Sequence, residues 1–249
     1  MDTEEEKSLD RFVGEAIRPF MGLMVQEIEA ILNISLKRND KGQLQKSALE
    51  QLMKKIFGVQ KMGLKNIPIF VRCGIIPKTV VHTSKGGRTE DTKFVSVDFK
   101  EWTNPDLKFE DSRIYNYFST HQILWMIFEE SEDGNVKFLG VKRYKFQQAF
   151  IDNEVRITWE LVRYLVNTGR LKEEVTIDKK TGLPKLNSTG VVKTAINFPK
   201  SKDYIVFLRG GAQNSSNKTE EVNGIKMYKQ FVWVKGAFLA DQLQSVKYI

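Results

Sequence analysis

The stretch Pro68-Ile69-Phe70-Val71-Arg72-Cys73-Gly74-Ile75-Ile76-Pro77-Lys78-Thr79-Val80 decides how the rest of the chain is read. From Pro68 to Val81 it is dense in Ile and Val, branched residues that pack well on a pleated surface, so strands near the core are expected there. Cys73 in that company reads as a buried small hydrophobe. It is the single cysteine of the chain, which forbids an internal disulfide and excludes a cysteine-rich zinc site.

Toward the N-terminus the period changes. Residues 8 to about 34 place Phe12, Val13, Ile17, Phe20, Leu23, Met24, Ile28 and Ile31 at three- and four-residue spacing, the mark of an amphipathic helix. Pro19 kinks or divides it. Lys37 to Gln45 reads as a polar loop, followed by a helix to about Phe57 that Gly58 ends. Toward the C-terminus, a Ser-Lys-Gly-Gly-Arg turn at 84–88 leads to an alternating strand over 94–99. A short helix is expected from Ser112 to Phe118, and a hairpin joins Ile123–Glu129 to Val136–Phe146 across Glu132-Asp133-Gly134. A helix spans Asp152–Asn167 and stops at Gly169. Beyond it come a polar loop at 178–192, a strand at Tyr204–Leu208, a Gly/Ser/Asn-rich loop at 210–224, a strand at Phe231–Val234 and a helix over about 238–246. With no internal repeat and no clear linker, the expectation is one mixed α/β domain over 1–249. A helical lead-in (1–60) would precede a mixed central sheet flanked by helices (61–249).

At 249 residues, 41% hydrophobic and 11% aromatic, the chain can bury a substantial core, which rules out disorder over most of its length. No run of about 18 apolar residues exists, so no spanning helix is expected. The acidic start Met1-Asp2-Thr3-Glu4-Glu5-Glu6 lacks the features of a signal peptide,. A soluble, cytoplasmic protein without a membrane partner is expected. Lys and Arg total 39 against 31 Asp and Glu, a net charge of +8. That excess suits nucleic acid, an anionic membrane surface or an acidic protein, and equally an ordinary lysine-rich surface. The cations gather at Lys37-Arg38 with Lys41, Lys54-Lys55, Lys85 with Arg88, and Lys142-Arg143 with Lys145, several interleaved with apolar residues as on phosphate-tracking surfaces.

Enzyme motifs are scarce. His82 and His121 sit in no nucleophile setting and read as structural or surface residues. Gly86-Gly87 and Gly210-Gly211 are not followed by Lys-Ser/Thr, so no nucleotide-triphosphate loop is present.

The opening stretch, with Gly74, Lys78 and Thr79 in frame, resembles the catalytic core of the MutH-like endonucleases, which include GATC-cutting type II restriction enzymes. That family carries an Asp, then six residues, then Glu-x-Lys-Thr. The two carboxylates hold Mg²⁺, and the metal and lysine activate water. In this chain the Asp falls on Ile69 and the Glu on Ile76, beside Lys78. A further family acid falls near Lys54, with Glu50 as a shifted counterpart. The likeness runs from about Leu9 to Leu243. It includes Leu36-Lys37-Arg38 with Asp40-Lys41-Gly42, Phe109-Glu110-Asp111-Ser112, Trp159-Glu160, Leu208-Arg209-Gly210 and Val232-Trp233-Val234-Lys235. The degraded motif is similar to that of the non-catalytic second domain of two-domain GATC enzymes of the staphylococcal type.

The resemblance implies a restriction-endonuclease-like fold without nuclease chemistry. This would be a catalytically silent, allosteric domain that binds double-stranded DNA, partnered by a catalytic N-terminal domain of the same enzyme. It needs no cofactor itself, Mg²⁺ being expected only in the catalytic partner. Arg209 would read guanine, Lys41, Gly42 and Lys235 would fix the backbone, Gly210 would allow close approach, and Trp233 would approach a base. Two bland readings stay open: Arg209 as a strand-end surface arginine, and Trp233 as core. Two other functions also stay open. One is an active Mg²⁺-dependent endonuclease with acids relocated to Glu90, Asp91 or Asp98, and the other is a protein-interaction or dimer-forming module.

Overall fold

The apolar stretch at 68–83 splits at Gly74. In the computed structural model, which describes residues 3–40, 42–44, 46–83, 90–211 and 218–249, Pro68–Arg72 is a helix and Ile75–Thr83 a strand. Proline at the first helical position sacrifices no hydrogen bond and arrives with its φ already helical. Gly74 then turns the chain at φ +61°, and a Cβ there would come within 3.1 Å of the Thr120 carbonyl. The strand expected from Pro68 is therefore corrected to begin at Ile75. A short apolar run fits a helix turn as readily as a buried strand.

In chain order the helices are α1 (Glu4–Ile17), α2 (Val25–Leu32), α3 (Lys46–Ile56), α4 (Pro68–Arg72), α5 (Phe99–Trp102), α6 (Arg113–Thr120), α7 (Gln148–Phe150), α8 (Arg156–Asn167) and α9 (Gly236–Gln244). The strands are β1 (Ile75–Thr83), β2 (Thr92–Ser96), β3 (Gln122–Glu130), β4 (Val136–Tyr144), β5 (Glu173–Val175), β6 (Thr194–Ile196), β7 (Val206–Gly210), β8 (Glu220–Val222), β9 (Ile225–Met227) and β10 (Gln230–Val234). The long N-terminal helix is divided, as Pro19 foretold. The strand read over 94–99 stops at Ser96, because the Asp98 carboxylate accepts the Lys100 N–H at 3.0 Å and starts α5,. No helix among the described residues is long and apolar enough to cross a membrane.

The chain forms two compact units. One comprises Met1–Glu90, Phe118–Phe146 and Gly236–Ile249, the other Asp91–Tyr117 and Gln147–Lys235. The mixed α/β class holds, but the strands lie in separate small sheets rather than in one central sheet.

In the first unit the sheet order is β1-β3-β4, with β1 parallel and β4 antiparallel to β3. The central strand is buried from Gln122 through Phe128, so it reads as a continuous apolar run. Pro77 is tolerated because β1 is an edge strand,. Leu9, Val13 and Ile17, spaced by four on α1, are fully buried in the same core as Phe70, Leu124 and Phe138. Arg143 on β4 is bound by Asp10 at 2.9 Å, Glu6 at 3.1 Å and the Gln122 side chain at 2.8 Å.

In the second unit the sheet β2-β10-β7 is wholly antiparallel. Its inner face carries Val206, Leu208, Val232 and Val234, all buried. Thr158 of α8 donates its hydroxyl to the Val206 carbonyl at 2.6 Å, tying helix to sheet. Two small hairpins, β5–β6 and β8–β9, complete it.

Candidate functional site

The outer face of β2-β10-β7 differs from its inner face. Alternation along β10 leaves Phe231 and Trp233 half-buried, and the register sets Phe231 opposite Arg209 and Trp233 opposite Phe207. Arg209, its side chain 45% exposed, lies over both rings, 4.9 Å from the centroids of Phe207 and of Trp233. Its Nη2 meets an Asp91 carboxylate oxygen at 2.8 Å. The Trp233 indole N–H donates to the Arg209 carbonyl at 3.2 Å. On the β2 side Lys93 sits 4.6 Å over the Phe231 ring. Two aromatic faces and a carboxylate thus hold a planar guanidinium in one posture while nearly half of its surface stays open.

Of the other residues singled out by the sequence, Gly210 and Lys235 belong to this unit. A Cβ on Gly210 would lie 2.9 Å from Tyr228, and one on Gly211 2.3 Å from the Phe231 ring. The glycine pair is thus explained by tight ring packing. Lys235 follows β10, its N–H donating to the Ile205 carbonyl at 2.9 Å. Lys41 lies outside the described residues. Gly42 belongs to the first unit, in a tight turn at φ +75° closed by its N–H donating to the Asn39 carbonyl at 2.9 Å. That turn's stem is anchored by Arg38, whose guanidinium meets the Glu29 carboxylate at 2.5 Å. The Leu36 N–H donates to the same carboxylate at 2.6 Å. The Arg38 contacts foremost, with that backbone donor, hold the Glu29 carboxyl below its ordinary range against the opposing effect of burial.

Several cations expected on a basic surface are structural. Arg143 is held by acids as described. Lys142 donates to the Leu243 carbonyl at 2.7 Å and lies 4.5 Å over Tyr248, its pKa lowered by burial. Lys54 pairs with Glu50 at 3.6 Å along α3. Lys85, Arg88 and the turn at 84–88 lie outside the described residues. Cys73 is half-buried rather than buried, its thiol pKa raised chiefly by desolvation.

The degenerate motif is apolar in fact. Ile69 sits on α4, half-buried against the first unit's core, and Ile76 on β1 opposite Ile123. Lys78 follows on β1, opposite Trp125. Neither isoleucine side chain can offer the carboxylate oxygen that the family's acids would supply, so these positions do not fit Mg²⁺. Among the acids weighed as replacements, Asp98 caps α5 and meets Arg113 at 3.3 Å, and Asp91 holds Arg209. Among the described residues no group of three His, Cys, Asp or Glu could hold a metal ion.

Sequence reasoning missed the paired strands β5 and β6 and the β8–β9 hairpin of this unit. Asn223 at φ 52° and Gly224 at φ 76° make the turn joining β8 to β9, within a stretch read as loop. Asn-Gly is the strongest short-range hairpin signal, and it was present. The hairpin carries Lys226 and leads to Tyr228, which with Gln230 line a pocket of about 360 Å³ that also reaches Arg209 and Gly210.

No known family profile matches the chain. It is similar to the type II restriction enzyme Sau3AI of Staphylococcus aureus, with 23% identity over 268 aligned positions. That alignment covers 97% of this chain and 52% of the enzyme, so the chain spans about half the length of the relative it matches.

Proposed function

We propose that this chain is a MutH-like, restriction-endonuclease-like domain. It binds double-stranded DNA and is catalytically silent, working beside a catalytic domain of a type II restriction enzyme. The observation that carries this reading is Arg209, spread over Phe207 and Trp233 and steadied by Asp91 on the aromatic-rich outer sheet face. A planar two-donor group held flat and half-open is the chemistry that matches guanine O6 and N7. Lys93 and Lys235 of the same unit supply charge for phosphates, with Lys41 and Gly42 a second backbone contact by resemblance. The likeness to a restriction enzyme supports DNA as partner and, by the family, GATC as the sequence. Isoleucine at 69 and 76 supports silence, because a cation facing them would lose hydration without gaining ligands.

The test has two parts. The purified chain is incubated with supercoiled GATC plasmid and Mg²⁺ or Mn²⁺, and no cleavage is expected. Stoichiometric nicking that survives repurification would instead support an endonuclease with relocated acids. Duplex affinity is then titrated against salt. A domain neutralising about five to eight phosphates gives a log–log slope of roughly −4 to −7. A slope near zero would favour the protein-interaction module.

A further inference from the structure

The pocket of about 360 Å³ in the second unit lies within the size range of small-molecule sites, roughly 300–1,000 Å³,. Its lining combines three chemistries. Gln230, only 5% exposed, donates its side-chain amide N–H to the Tyr228 carbonyl at 2.7 Å. Its Oε1 accepts from no described residue, which leaves a fixed acceptor on the pocket wall. Tyr228 presents a half-buried ring, and Ile196 and Met227 add apolar surface. Lys200, Lys218 and Lys226 stand around it. Lys218 is paired with Glu173 at 3.4 Å and Lys200 with Glu174 at 3.7 Å, while Lys226 has no ion pair among the described residues.

We propose that this pocket binds a nucleotide. Its base would stack on Tyr228 and donate an exocyclic amine hydrogen to Gln230 Oε1, and its phosphate would lie at Lys226 and Lys218. Each element serves a different part of such a ligand: a π-face, one acceptor at fixed position, and cations at the rim. An acceptor with its own amide already committed favours adenine, cytosine or guanine over thymine, which offers only a ring N–H. Arg209 lines both the pocket and the outer sheet face. A nucleotide could therefore come from a duplex on that face, by leaving the stack, or be free.

The full chain is titrated with dAMP, dTMP and inorganic phosphate at one salt concentration. Saturable binding of dAMP is expected, with dTMP about three- to tenfold weaker, the worth of one neutral hydrogen bond. Tyr228→Leu should weaken dAMP binding by about tenfold, as loss of a stacking ring does. Lys226→Gln, at an exposed position that leaves folding intact, should weaken it and flatten its salt dependence. Brightening of 2-aminopurine within a bound GATC duplex would assign the ligand to an extruded base, and binding of dAMP without brightening to a free nucleotide. Phosphate binding as tightly as dAMP, indifference to both substitutions, or no binding of dAMP and no brightening would overturn the pocket. A chain that binds dAMP and no duplex keeps the pocket and removes the duplex reading, while duplex binding with neither signal does the reverse.

Discussion

The two three-stranded sheets are built from similar residue types and do different things with them. In β1-β3-β4 the central strand is covered throughout its first seven residues, and its cationic neighbour Arg143, 15% exposed, is locked by Glu6, Asp10 and Gln122. In β2-β10-β7 the aromatic rings alternate toward a half-open face, and Arg209, 45% exposed, has one carboxylate. An arginine that is buried and multiply paired holds a fold together, whereas one lying on rings with half its surface free is available to a ligand. Net charge therefore says little about where a polyanion would bind. The exposure and pairing of individual cations say more.

The contrast can be broken most forcefully at the buried sheet. Phe128 is fully buried and its ring centroid lies 5.0 Å from that of Phe138. Phe128→Ala is expected to cost about 3–5 kcal/mol in denaturant unfolding. Arg209→Ala in the other sheet should cost only about 1–2 kcal/mol by the same measurement, the worth of a half-exposed ion pair and two ring contacts,. Comparable losses at both positions would erase the distinction.

Next in size is the Glu29–Arg38 pair. Arg38→Ala strands a carboxylate whose side chain is 10% exposed, at about 2–3 kcal/mol after allowing for the partly open arginine,. Because the folded Glu29 pKa lies below its ordinary 4.5, its contribution is complete above the unfolded value. It fades as pH falls through the lower, folded one. Urea midpoints at pH 7 and at pH 3 should differ more for the parent chain than for Glu29→Gln. Equal differences would remove Glu29 as a source of acid sensitivity.

Smaller effects are expected at the open sheet. Arg209→Ala should weaken a GATC duplex by about 1–3 kcal/mol and a scrambled duplex little. Equal weakening would make Arg209 part of a general positive surface. Asp91→Asn frees the guanidinium from its counterion and should raise scrambled-duplex affinity by about two- to fivefold, the worth of a partly exposed ion pair. Unchanged affinity for both duplexes would limit Asp91 to a structural role.

Long periodic segments carried their own instructions. The division of the N-terminal helix near Pro19, the end of α3 before Gly58 and the β3–β4 hairpin across Glu132-Asp133-Gly134 follow from spacing and turn chemistry alone. These features depend only on neighbours along the chain. Resemblance singled out Arg209 and Trp233, and the alternation along β7 and β10 sets them on one sheet face. The helix at Pro68–Arg72 was not legible, since its four apolar residues satisfy either period and the packing of Phe70 against Phe12 and Phe57 is a tertiary contact. The same holds for Asp91 and Asp98. As letters they are two acids near a lysine motif, and their distant partners Arg209 and Arg113 make one a clamp on a guanidinium and the other a helix cap that also anchors an arginine. Gly210 was singled out as a place of close approach to DNA, and the rings of Tyr228 and Phe231 occupy the space that side chains on Gly210 and Gly211 would need. Local chain stiffness and periodicity are written in the order of residues. The partner of a charge and the neighbour of a glycine are decided when segments more than a dozen residues apart come into contact.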